Sequence, residues 1–228
     1  MLQYLPRAAG AKSSVIPHIA AARLGRTRAH RNDGFVLYHA GSLYPPRDAR
    51  ILLEGVKRFL ARTGTEALRL QFIVDRPEPL RAAASSLDLD RFVAFEPLRP
   101  YEEMPDVLVA ADVLVIVEAN LPESVFFPSK LIDCAQVGRP ILAIGPRHGT
   151  ISDILQAHGG GIAADVRSPE SVADALEMLW RAWKEGTLES SYGSRTLLSQ
   201  FGEEPVLDLY RELFNRIGVT PRRTAVHG

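Results

Sequence analysis

The stretch DVLVIVEANLPESVFFPSKLIDCAQVGRPILAI, residues 112–144, decides the fold. It opens on an apolar run with no polar alternation (112–118), enters a helix over 128–137 and returns to a second apolar run over 139–144. A strand that is apolar on both faces must be covered on both faces, and such strands belong to parallel sheets with helical crossovers. The same stretch raises a functional question. Ser129, Lys130 and Asp133 stand at the mouth of a helix whose other side, Leu131, Cys134, Ala135 and Gly138, forms an apolar stripe. Gly138 either lets that helix lie close to the sheet or simply ends it.

Working outward, the same rhythm runs through most of the chain. Further strands are expected at 35–40, 67–75, 91–96 and, after the turn of Gly159 and Gly160, up to residue 165. The segment 48–63 has helical spacing, with Ile51, Leu52, Val56, Phe59 and Leu60 on one side and Asp48 as its cap. Helices are also expected at 78–87, 150–158, 169–184, 188–200 and 203–217, and Pro105 limits a helix at 101–111 to about one turn on either side. The fold class is α/β: a single Rossmann-like domain with a six-stranded parallel sheet and helices on both faces. It occupies 34–218, between an N-terminal linker or extension (1–33) and a flexible tail (219–228).

Composition narrows the function. The 228 residues carry 27 basic and 27 acidic side chains, so bulk attraction to nucleic acid is not indicated. The first 33 residues are nevertheless basic, with Arg7, Lys12, Arg23, Arg26, Arg28 and Arg31 against Asp33. Two readings stand: a solvated linker, or a contact with a membrane surface or an acidic neighbouring domain. The single Cys134 excludes an internal disulfide and any multi-cysteine metal site, and a reducing, cytosolic setting is the default. No apolar run approaches the roughly 20 residues of a membrane span.

In an open parallel sheet, ligands bind beyond the carboxyl ends of the strands. After the first strand, Gly41 permits a tight turn and close approach to a ligand, and Arg47 stands just before the next helix. A helix mouth already favours anions through unpaired N–H groups and the dipole, and an arginine adds to it. At the second mouth, the amides near Ser129 and Lys130 suit phosphate oxygens, and the ionised Asp133 suits a diol such as a ribose. Each feature has an ordinary reading too: a Pro-Pro turn with a surface arginine, and a Ser129 cap with a solvated first-turn carboxylate. Two such mouths on one sheet point to a nucleoside diphosphate. Neither a P-loop nor G-x-G-x-x-G is present, which leaves ATP hydrolysis and hydride transfer unsupported. His39 ends a strand near the cleft, Glu118 and Glu123 flank the cleft loop as hydroxyl binders, and His18, His30 and His158 lack metal spacing.

The runs GSLYPPR (41–47), FPSKLIDCAQVGRPILAI (127–144) and ISDILQAHGGGIAADVRSPESVADAL (151–176) resemble the C-terminal half of glycosyl transferases group 1, which are two-Rossmann-domain (GT-B) enzymes. VIPHI (15–19) resembles the linker that leaves their N-terminal domain. The resemblance implies a nucleotide-sugar-binding domain of a retaining glycosyltransferase that moves a hexose to an acceptor hydroxyl. Gly41, with Ser42 beside it, and Arg47 match the diphosphate grip. Arg47 and Lys130 would stabilise the leaving diphosphate, aided by Pro128 and Ser129 at the helix mouth. Asp133 stands where the family usually has a ribose-binding Glu, and the loops at Asp75–Arg76 and Glu96–Pro97–Leu98 would hold the base. No metal and no cofactor beyond the nucleotide sugar are implied. The expected partner is an N-terminal acceptor-binding domain, without which the chain would not turn over. The implied setting is cytoplasmic, with peripheral association at the inner face of the membrane as an open alternative. Two departures stand out: Val125 replaces an earlier Glu that contacts the sugar, and Ser42 replaces a frequent basic residue. They favour an alternative, a non-catalytic nucleotide-binding or protein-interaction module with a degenerate GT-B fold.

Overall fold

The computed structural model describes residues 14, 16–20, 33–124 and 129–218. The basic segment 23–31, Val125, Pro128 and the tail 219–228 lie outside the described residues. Six strands, β1 (Phe35–Ala40), β2 (Leu68–Ile73), β3 (Val93–Glu96), β4 (Val113–Val117), β5 (Ile141–Gly145) and β6 (Gly161–Asp165), form one sheet in the order β3-β2-β1-β4-β5-β6. Every pairing is parallel. β4 and β5 are buried at every residue, as their unbroken apolar runs require.

The helices divide by the direction in which the chain travels. α1 (Arg50–Thr63) and α2 (Glu78–Ser86) follow β1 and β2, and pack with the later α6 (Pro169–Glu185) on one core that includes Phe35, Leu37, Phe59, Phe72 and Leu176. α3 (Met104–Val109), α4 (Ser129–Val137) and α5 (Thr150–His158) lie on the other core, with Leu114, Ile116, Leu131 and Ile151. This segregation is what right-handed crossovers require when the strand order reverses between β1 and β4. β1 pairs with β2 over six residue partners but with β4 over only two, Leu37↔Val113 and Tyr38↔Leu114. The ladder between β1 and β4 therefore stops before their carboxyl ends, which leaves a crevice at the switch point.

α1 buries Leu52, Leu53, Val56 and Phe59 and stops at Gly64, whose φ of 61° is left-handed. It packs closely on α6: a Cβ added at Gly55 would lie 2.4 Å from Val172 Cγ1. Arg62 of α1 pairs with Glu170 and, at 2.7 Å, with Asp174 of α6.

Two expectations need correction, and two others are met. Asp48 does not cap α1; its Oδ1 accepts from the Arg50 N–H at 2.8 Å, and the capping position is Ala49. Around Pro105 the helical segment is as short as expected: a 3-10 turn at Tyr101–Glu103 leads into the six-residue α3, with Pro105 in its first turn, where its missing N–H costs nothing. The span 188–200 is not one helix but α7 (Leu188–Tyr192), a 3-10 turn (Ser194–Leu197) and α8 (Leu198–Phe201). Extended backbone at Gly193 breaks it, and the buried Ser194 hydroxyl donates to the Cys134 carbonyl at 3.0 Å. Of the two readings of Gly138, the structure has the one in which it ends α4, at φ 81°; an added Cβ would meet the Arg195 side chain at 2.8 Å. α9 (Glu203–Arg216) closes the described chain. Within the expected linker, Ala20 is buried in the second core and donates its N–H to the Phe201 carbonyl at 2.6 Å.

Candidate functional site

The crevice between β1 and β4 gathers the residues that matter. Gly41 ends β1 with φ 110°, and its N–H donates to the Ile73 carbonyl at 2.9 Å. A side chain there would collide with Lys130: an added Cβ would lie 2.5 Å from Nζ and 2.7 Å from Cε. The bare Cα of Gly41 is therefore the floor on which the Lys130 ammonium rests. Lys130 is the second residue of α4, so the ammonium and the unpaired first-turn amides share one end of that helix.

The loop after β1 is stitched to the segment after β4. Arg47 bridges Ala119 in antiparallel fashion, and the Asn120 N–H donates to the Pro46 carbonyl at 3.2 Å. The Arg47 guanidinium lies 5.0 Å from the centre of the Tyr44 ring. Burial lowers the pKa of Lys130, and the neighbouring Arg47 charge lowers it further. Among the described residues, no carboxylate lies within ion-pair distance of either cation.

Two carboxylates border this positive pair. Asp133 is pushed up by burial, against the opposing effects of its hydrogen bond from Tyr101 and the charge of Lys130. The Tyr101 hydroxyl donates to Asp133 Oδ1 at 3.1 Å. Glu118 is buried at the end of β4, where Ser124 Oγ donates to its Oε1 at 3.0 Å. Burial raises its pKa, opposed by the Ser124 bond and by Arg47. Glu118 flanks the cleft loop as a candidate hydroxyl binder, but its carboxyl is not on the surface. It instead ties down the loop through Ser124, which also bonds through its backbone to His148 and Thr150.

His39 is fully buried. Its Nδ1 donates to the Val115 carbonyl at 3.0 Å, since a carbonyl only accepts, while Nε2 has no hydrogen-bond partner among the described residues. Burial, then the Lys130 charge, lowers its pKa to about 4, so the ring is neutral. It is structural and does not reach into the cleft as a charged group. Burial pushes the Cys134 thiol up to about 12, which makes it inert.

A cavity of about 250 Å³ opens beside the crevice. Gly41, Tyr101, Lys130 and Asp133 line it together with apolar groups such as Leu108, Leu114 and Ile116. The structure thus brings Gly41, Arg47, Lys130 and Asp133 together. Ser129 is exposed at the helix start and Ser42 half-buried after Gly41, and neither lines the cavity. Asp75, Arg76 and Pro97 are exposed at the ends of β2 and β3, and Glu96 is paired with Arg99 at 2.7 Å. None of those four lines the cavity; Leu98 and Arg99 do. Tyr101 was not foreseen, and its signal in the sequence was slight: an aromatic directly after Pro100, ahead of an acidic pair. Among the described residues, no group of three or more His, Cys, Asp or Glu side chains is placed to hold a metal ion, and no helix is long and apolar enough to cross a membrane.

Known proteins align with this architecture. A D-inositol 3-phosphate glycosyltransferase of Corynebacterium urealyticum is 27% identical over 151 residues, which are 63% of this chain and 34% of that protein. The apo structure of the lipopolysaccharide outer core galactosyltransferase WaaB superposes with a TM-score of 0.68 at 13% identity, covering 90% of this chain and 56% of its own. HepE of Anabaena, solved in complex with UDP-glucose, gives a TM-score of 0.61 at 14% identity, covering 82% of this chain and 49% of its own. TarM of S. aureus, in a complex that includes UDP, gives 0.67 at 14% identity, covering 89% of this chain and 39% of its own. At these identities the superpositions show the fold. The chain spans about a third of its curated relative and about half of HepE. The family model for glycosyl transferases group 1 matches residues 34–182, from just before β1 into α6, and the chain belongs to that family.

Proposed function

We propose that this chain is the nucleotide-sugar-binding domain of a retaining glycosyltransferase, which transfers a hexose to an acceptor hydroxyl and needs an acceptor-binding domain to do so. One observation carries the reading. Lys130 rests over the bare Cα of Gly41 and lies close enough to Arg47 that the Arg47 charge depresses its pKa, with no ion-paired carboxylate among the described residues. Two like charges held together cost free energy, and a diphosphate between them would remove that cost. The cations would then stabilise the negative charge that grows on the leaving diphosphate, so no metal is needed for that task. Asp133 is the acceptor for the ribose diol, in the lining of a cavity that can receive the base. HepE and TarM, which share the fold, were solved with UDP-glucose and with UDP, which supports a nucleoside diphosphate here.

The departures at Ser42 and Val125 favour a second reading, a nucleotide-binding or interaction module that has lost turnover. Both readings require nucleotide binding; they part at transfer. Calorimetry with UDP, GDP and ADP tests the site, and affinity no tighter than about millimolar, near 4 kcal/mol, would count against it. Arg47→Ala should weaken the best of these nucleotides by roughly tenfold or more, as expected for a charge-assisted contact of about 1.5–3 kcal/mol. Unchanged affinity would contradict the role assigned to Arg47. Transfer assays with the acceptor domain present separate an enzyme from a binding module, and peripheral membrane association is tested by vesicle flotation of the same form.

A further inference from the structure

We propose that Tyr101 is a latch on Asp133, holding the carboxylate that the ribose diol needs and swinging out when a nucleoside diphosphate seats. The inference rests on the diphosphate reading above and goes beyond it to a residue that tunes nucleotide affinity. Tyr101 and Asp133 are joined at 3.1 Å although they lie 32 residues apart in the chain. Both line the cavity, and the Tyr101 ring is largely exposed to solvent beside it. A ribose offers two hydroxyl donors, and a carboxylate receives both best when both oxygens are open. Here Oδ1 is already occupied, by the one hydrogen-bond partner of Asp133 among the described residues.

The latch is built to open at the side chain and not at the backbone. Tyr101 is 68% exposed, so little besides the hydrogen bond holds the ring in place. Pro97, Pro100 and Pro105 stiffen the segment around it. Rotation about the side-chain torsions frees Asp133 without moving the 3-10 turn. When the site is empty, the phenol gives the half-buried carboxylate a donor, at the expense of competition with the incoming ribose.

The test is calorimetry on Tyr101→Phe, which keeps the ring and removes only the hydroxyl. UDP, GDP and ADP probe the ribose, and inorganic pyrophosphate probes the diphosphate grip without it. The expected result is that the best-binding nucleotide binds Tyr101→Phe about 3- to 10-fold more tightly, the range for loss of one competing hydrogen bond. Pyrophosphate affinity should not change, which a merely structural effect would not produce. Equal or weaker nucleotide binding, with pyrophosphate still bound, overturns the latch and leaves the diphosphate site standing. Tightening of pyrophosphate as well also overturns it, because the effect then does not run through the ribose. If neither ligand binds either form, the diphosphate site fails and the latch falls with it.

Discussion

Gly41→Ala probes the floor of the site. The added methyl would lie 2.5 Å from Lys130 Nζ and 2.7 Å from Cε, well inside contact distance. Those atoms are the free end of a flexible side chain, so the ammonium moves and the backbone does not. Displaced from between α4 and the loop after β1, it loses its contact with the diphosphate, worth about 1.5–3 kcal/mol or roughly 10- to 100-fold in affinity. The φ of 110° adds backbone strain for any residue with a Cβ, of order 1–3 kcal/mol in stability. Binding and stability losses are separated by a thermodynamic cycle with Lys130→Ala. Pyrophosphate titrations of the wild type, both single variants and the double variant give the coupling. If Gly41 acts by seating Lys130, Gly41→Ala should cost little affinity once the lysine is gone. A full and additive loss in the Lys130→Ala background would refute the contact as the reason for a glycine here.

Two further predictions follow from burial. His39 has its folded pKa lowered from 6.5 to about 4, so the unfolded chain binds the extra proton in between, and stability falls as pH drops through that window by up to about 3 kcal/mol. His39→Asn, which can still donate toward Val115, should flatten that slope in urea melts between pH 7 and pH 4; an unchanged slope would assign it to other groups. At the α1–α6 contact, Gly55→Ala should destabilise by about 1–3 kcal/mol despite alanine's better helix propensity, because its methyl meets Val172 at 2.4 Å. Val172→Ala should restore part of the loss in thermal melts, and failure to do so would place the cost elsewhere.

Much of the fold was legible because burial on both faces writes itself as unbroken apolar runs. VLVIV (113–117) and ILAIG (141–145) are strands for that reason, and the sheet is parallel because helices separate them. The breaks at 188–200 were hidden, since Gly193 and Ser194 look like tolerable helix residues until Ser194 is seen reaching Cys134. Arg139 read as the start of a strand; it is buried, donates to the Val109 carbonyl at 3.1 Å and pairs with Glu189. Within the candidate site, Gly41, Arg47, Lys130 and Asp133 stand out in the sequence through the helix mouths and the family resemblance. The Tyr101–Asp133 bond was not, because no motif links side chains on separate elements. Glu118 was noticed for its charge, but its enclosure by Ser124 and Gly145 is a property of packing that spacing does not encode.

The packing of α1 on α6 has a consequence for how the molecule comes into being. α1 has its apolar side completed by a helix that begins more than a hundred residues later in the chain, at Pro169. Until that segment emerges, Leu52, Val56 and Phe59 have lost a large part of their covering. Contacts so distant in the chain slow folding, since the intervening loop must be closed before they reward it. Nascent chains stalled before residue 169 should therefore expose this surface to chaperones, and release should coincide with synthesis of the returning helix.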